Sequence, residues 1–144
     1  MKYLATICVL LIALSCQNSS RKGAVKTSTK TGTPKFEIQE RFYNFGQLQA
    51  GEVVAYSFHF TNSGDGALLI EKVETDCGCL NTHFPKEPVA PGESGYIEVV
   101  FNSAGETGRV YKELQVVANT QPEITKLAVA ATVENELINL YSKN

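Results

Sequence analysis

Cys77-Gly78-Cys79 places two of the chain's four cysteines a single residue apart. That spacing admits three chemistries. In an oxidising compartment the two thiols pair and pin a loop. Residues two apart in a fully extended strand have Cα atoms about 6.6 Å from each other, at the upper limit of disulfide geometry, so pairing requires a bend at Gly78. As a dithiol, the pair would exchange disulfides with other thiols. No base stands beside it, however, and the neighbouring Asp76 would raise the thiol pKa. As thiolates, Cys77 and Cys79 would hold a soft ion such as copper(I) or zinc, with His83 as third ligand and no fourth ligand in the local sequence. The other histidine, His59, falls at an outward strand position and is read as a surface residue.

The remaining candidates for chemistry have structural explanations. Ser57, Ser63, Ser94 and Ser103 lie in strands or beside turns, and none occupies a Gly-x-Ser-x-Gly elbow. Glu71, Glu74 and Glu98 alternate as solvated strand positions, without the paired carboxylates that glycoside hydrolysis needs. Gly105-Glu106-Thr107-Gly108-Arg109 lacks the Lys-Ser/Thr of a phosphate loop and reads as a hairpin turn. Tyr43, Tyr56, Tyr96 and Tyr111 suit either a ligand-facing surface or ordinary strand packing. No catalytic set emerges, so a non-enzymatic role without a cofactor is expected. A formal net charge of −2 argues against nucleic acid as a partner.

The other two cysteines, Cys8 and Cys16, belong to the leader. Lys2 precedes an apolar run that stops at Ser15-Cys16, too short for a membrane span of about 20 residues and suited to a signal peptide. A small residue directly before Cys16 resembles the cleavage and lipidation site of bacterial lipoproteins, although the usual Leu three before the cysteine is Ala13 here. The expected organisation is therefore a signal peptide at 1–15 and a lipidated N-terminus with a flexible linker at 16–34. A single β-sandwich follows at 35–134, then a tail or edge strand at 135–144. The linker is built from Asn, Ser, Arg, Lys, Gly and Thr, and has too little apolar area to offset the entropy of ordering. These features predict a lipid-anchored protein of the cell envelope.

Hydrophobic alternation supplies the elements that must position the cysteines. Val54, Tyr56, Phe58 and Phe60 alternate with polar or small residues, which is the period of a half-buried strand. Ile97, Val99 and Phe101 form a second such set. Val110, Leu114 and Val116 form a third, set against outward Tyr111, Glu113, Gln115 and Val117. Leu127, Val129, Ala131 and Val133 form a fourth. Between Ala67 and Thr75, Val73 is placed in phase with Leu69. Phe36–Ile38 and Phe42–Phe45 are short extended pieces. Asn62-Ser63-Gly64-Asp65-Gly66, Pro91-Gly92 and Asn102-Ser103-Ala104-Gly105 are turns. After Thr75 come the cysteine loop and a proline-rich connection. About seven strands with frequent turns and no helical period predict an all-β, two-layer sandwich.

Phe45-Gly46, Gly51-Glu52, Phe58-His59-Phe60-Thr61-Asn62-Ser63-Gly64-Asp65, Leu68-Leu69-Ile70, Cys77-Gly78-Cys79 and Val89-Ala90-Pro91-Gly92-Glu93, with the Phe101 strand, resemble the DUF1573 family. The resemblance covers about Phe36 to Val133. It implies an immunoglobulin-like sandwich related to the ASPM/SPD-2/Hydin type, often carried behind a lipoprotein leader in exported bacterial proteins. It implies no catalytic residues. The family usually has Thr after its second cysteine, where this chain has Leu80. The resulting expectation is an envelope module that binds an unidentified envelope protein, with thiol-redox or soft-metal handling at Cys77 and Cys79 as the alternative.

Overall fold

The computed structural model describes residues 32–135. The expected signal peptide, Cys16, most of the linker and the tail after Asn135 lie outside the described residues. Eight strands are present: β1 (Phe36–Ile38), β2 (Phe42–Gln49), β3 (Val53–Asn62), β4 (Ile70–Thr75), β5 (Leu80–His83), β6 (Ser94–Asn102), β7 (Gly108–Ala118) and β8 (Ile124–Glu134). They form two four-stranded sheets, β1-β3-β6-β5 and β2-β8-β7-β4. Every pairing is antiparallel except β2 with β8. The strand beyond the expected seven is β5, which begins directly after Cys79.

Alternation explains both inner faces. Phe58, Phe60, Leu68, Ile97, Val99, Phe101, Leu114, Val116, Leu127 and Val129 are fully buried between the sheets, and each such side chain contributes roughly 1.5–3 kcal/mol. Phe36 stacks on Phe60 with ring centroids 4.7 Å apart, which seals the end where the chain enters. Gly95 sits opposite Phe60 in the β3–β6 register. A Cβ there would meet the Phe60 ring at 2.6 Å, so the ring occupies the space a side chain would need.

Two expectations about phase are corrected. Leu68 and Ile70, not Leu69, point inward, and Val73 nevertheless faces the core. A register shift between Ile70 and Lys72 inserts one residue and flips the alternation, as a bulge does. Val117, expected to face solvent, is 5% exposed, covered on the outer face by its cross-strand neighbours Lys72 and Ile124.

Buried polar groups fasten the turns. Asn62 is fully buried; its Nδ2 donates to the carbonyls of Gly66 (2.8 Å) and Val89 (2.9 Å). Its Oδ1 accepts from the backbone N–H of Gly64 and of Lys35. One side chain thus ties the entry segment, the turn after β3 and the connection before β6. The entry segment is held back to Thr33, whose N–H donates to Asp65 and whose carbonyl accepts from the Asp65 N–H. Ser103, also fully buried, reaches the carbonyls of Gln49 and Glu52 and accepts from Gly51 N–H, clamping the β2–β3 turn.

Candidate functional site

The cysteine loop carries the chain from one sheet to the other, between β4 and β5. Cys77 and Cys79 form a disulfide with their Cα atoms 5.2 Å apart, shorter than an extended tripeptide allows. The backbone bends over residues 76–79 with exposed Gly78 at the apex, where an added Cβ would meet nothing. The loop is fastened on both sides: Thr75 Oγ1 donates to the carbonyl of Cys77, and the N–H of Asn102 donates to that of Cys79 (2.9 Å). Both cysteines pack against the core. Leu80, where the family usually has Thr, is buried opposite Phe101 and anchors β5.

His83 is not brought to this pair. It stands exposed at the far end of β5, roughly 13 Å along the strand from Cys79 and opposite Glu98. The sulfurs are bonded to each other, and among the described residues no group of three or more His, Cys, Asp or Glu could hold a metal ion. His59 is exposed, beside Tyr96 on the outer face.

A different feature lies where the chain changes sheets. β1 pairs with β3 only along Phe60–Asn62. Gln39-Glu40-Arg41 then leads across to β2 in the other sheet. Ser63 donates to Lys35 on the β1 side, whereas Asn62 bonds toward Glu93 on the β6 side. By antiparallel alternation, the N–H and C=O of Val53, Ala55 and Ser57 therefore point away from β6. No described strand meets them there. Among the described residues the first half of β3 is an open sheet edge.

Beside this edge is a groove of about 500 Å³. Glu37, Gln39, Glu40, His59, Thr61 and Ser94 line it, with Tyr56 and Phe60 beneath, and no Lys or Arg is among its lining residues. Tyr56 donates its hydroxyl proton to Glu40 Oε2. That bond, with burial and the carboxylate charge, pushes the Tyr56 pKa up to about 12. Tyr43 of β2 stacks on Tyr56 at 3.6 Å and nearly parallel, bridging the sheets below the groove. Tyr43 and Tyr56 are thus structural. Tyr96 and Tyr111 are the exposed pair, and Tyr111 leans toward Phe42 on the outer face of the second sheet. An open sheet edge, or the loop containing Cys77, is the contact surface a sandwich of this kind leads one to expect; which edge is bare, and the groove beside it, the sequence does not locate. The available signal was two short extended pieces separated by Gln39-Glu40-Arg41 without Gly or Pro, which marks a strand changing sheets rather than turning back.

The comparisons with known proteins agree with this architecture. A protein of unknown function from Porphyromonas gingivalis W83 superposes with a TM-score of 0.62 at 21% identity, over 69% of this chain and 47% of that one. The ASH / PapD-like domain 7 of human CEP192 gives 0.60 at 10% identity, over 72% of this chain and 87% of that domain. The Vibrio cholerae VesB protease gives 0.52 at 17% identity, over 74% of this chain and 33% of that one. The chain therefore spans about half the length of the first of these proteins and a third of the last. At these identities the likeness is one of fold. A search of curated protein sequences returned no match. A family model described as a protein of unknown function, DUF1573, matches residues 36–133, nearly the whole sandwich, and the chain belongs to that family.

Proposed function

We propose that this chain is a non-enzymatic attachment module of the cell envelope, tethered by lipid at Cys16 and binding a partner protein through its sandwich. The observation that carries this reading is the open half of β3 beside an acidic groove. A sheet edge with unpaired N–H and C=O groups is a template for another chain, and proteins that do not use such an edge usually cover or blunt it. The buried polar side chains Asn62 and Ser103 hold turns and are not free for chemistry. Recurrence of the fold as one part of longer chains is consistent with a module.

Two measurements on the full-length chain in a bacterial host test the proposal. Labelled palmitate should be incorporated, and Cys16→Ser should abolish the label. A photo-crosslinker at Ala55 should capture a discrete envelope protein in intact cells. A chain that takes no lipid and yields no adduct from any outer-face position contradicts it.

A further inference from the structure

We propose that the open edge of β3 receives an extended peptide segment of a partner protein, carrying a lysine or arginine, as an added antiparallel strand. The proposal rests on the attachment reading above and names the surface and the chemistry of the occupant.

β1 already pairs antiparallel with the last part of β3, at Phe36↔Asn62, Glu37↔Thr61 and Ile38↔Phe60. The chain then leaves the sheet at Gln39. A guest strand laid along Val53–Ser57 continues the line that β1 abandons. It meets the N–H and C=O of Val53, Ala55 and Ser57, which point outward for the parity reason already given. These groups provide main-chain affinity without selecting a sequence.

Selection comes from the side chains. In an antiparallel pair, directly opposed residues share a face. A guest residue opposite Ser57 therefore projects on the outer face, on the side of β3 away from β6 and alongside the groove holding Glu37 and Glu40. Glu40 accepts the Tyr56 hydroxyl through Oε2 and lines the groove. The carboxylates are not matched by any Lys or Arg of the lining, so a cationic side chain complements the site and an anionic one is repelled.

The test uses the full-length chain and a nine-residue peptide of alternating threonine and valine with a central lysine. A second peptide carries glutamate at the centre. The lysine peptide is expected to bind at least tenfold more tightly than the glutamate peptide, and to slow amide exchange at Ala55 and Ser57. Ser57→Pro removes an N–H that serves no ladder bond among the described residues, a placement proline tolerates on an edge. It should leave the far-ultraviolet spectrum intact and weaken binding at least tenfold. Glu37→Arg, an exposed substitution that leaves the backbone alone, should reverse or abolish the preference for lysine.

Equal binding of the two peptides, no binding of either, or protection away from Ala55 and Ser57 would overturn the proposal. So would concentration-dependent self-association that protects the same amides, since the occupant would then be a second copy. A partner crosslinked in cells through the Phe42–Tyr111 face would overturn the edge assignment while leaving the attachment reading in place.

Discussion

Asn62→Ala should be among the most damaging single substitutions in the sandwich. The side chain is fully buried and makes four hydrogen bonds, two of them donated to the carbonyls of Gly66 and Val89. Truncation leaves the Gly66 carbonyl without a donor in a buried site, at about 1–3 kcal/mol, and takes one of two donors from the Val89 carbonyl, which keeps the Leu68 N–H at 2.9 Å. The N–H groups of Gly64 and Lys35 lie nearer the surface and regain water at little cost. The total is about 2–3 kcal/mol, a substantial part of the roughly 5–15 kcal/mol that stabilises a domain of this size. With a urea m-value of about 2 kcal/mol/M, the unfolding midpoint should fall by about 1–1.5 M with m unchanged. The chain has no tryptophan, so circular dichroism or tyrosine fluorescence is the probe. Asn62→Asp adds a sign test. A carboxylate facing two carbonyl oxygens is disfavoured, so its folded pKa is raised above the unfolded value. The variant should therefore lose most stability at neutral pH and regain part of it as pH falls through that raised pKa. A midpoint shift below about 0.5 M for Asn62→Ala, or an Asn62→Asp variant indifferent to pH, would refute the assignment.

Gly95→Ala should cost about 1–3 kcal/mol by displacing the Phe60 ring, measured by the same denaturation. Removing the disulfide as Cys77→Ala/Cys79→Ala should cost only about 1.5 kcal/mol, because the closed loop is so short; collapse of the fold would contradict this. In a spectroscopic titration, one tyrosine, Tyr56, should ionise at about 12, and Glu40→Gln should return it toward the ordinary range. The folded state holds the Tyr56 proton more tightly than the unfolded chain does. The associated stability is therefore present below about pH 10 and is lost as pH rises from there through about 12.

Much of the sandwich is legible in the chain because buried strands leave period-two signatures. Phe58 and Phe60, Ile97 through Phe101, and Leu127 through Val133 face the core as their alternation predicts. The Cys77–Cys79 pair is legible as a candidate because spacing and a glycine permit a bond, but that bond is one of three chemistries the sequence admits, and the bent loop of the fold is what brings the Cα atoms to 5.2 Å. What failed was decided by partners rather than by neighbours. β5 is four residues long with one buried side chain, Leu80, too little for alternation to register. The phase of β4 depends on a register shift against β7 that no local pattern encodes. Asn62 reads as a turn residue, yet it is the buried hub of three segments, because Lys35 and Val89 converge on it only in the folded chain. The groove could not be read at all. It exists because β1 stops at Ile38 and β2 joins the opposite sheet, a choice made by tertiary packing.

The open edge of β3 is the claim on which the functional account stands, and residue-resolved amide exchange of the free protein tests it most directly. The account predicts slow exchange at Val54, Tyr56 and Phe58, which bond to β6, alternating with fast exchange at Val53, Ala55 and Ser57. Uniform protection along Val53–Phe58 would mean that another segment already covers this edge, and would contradict it.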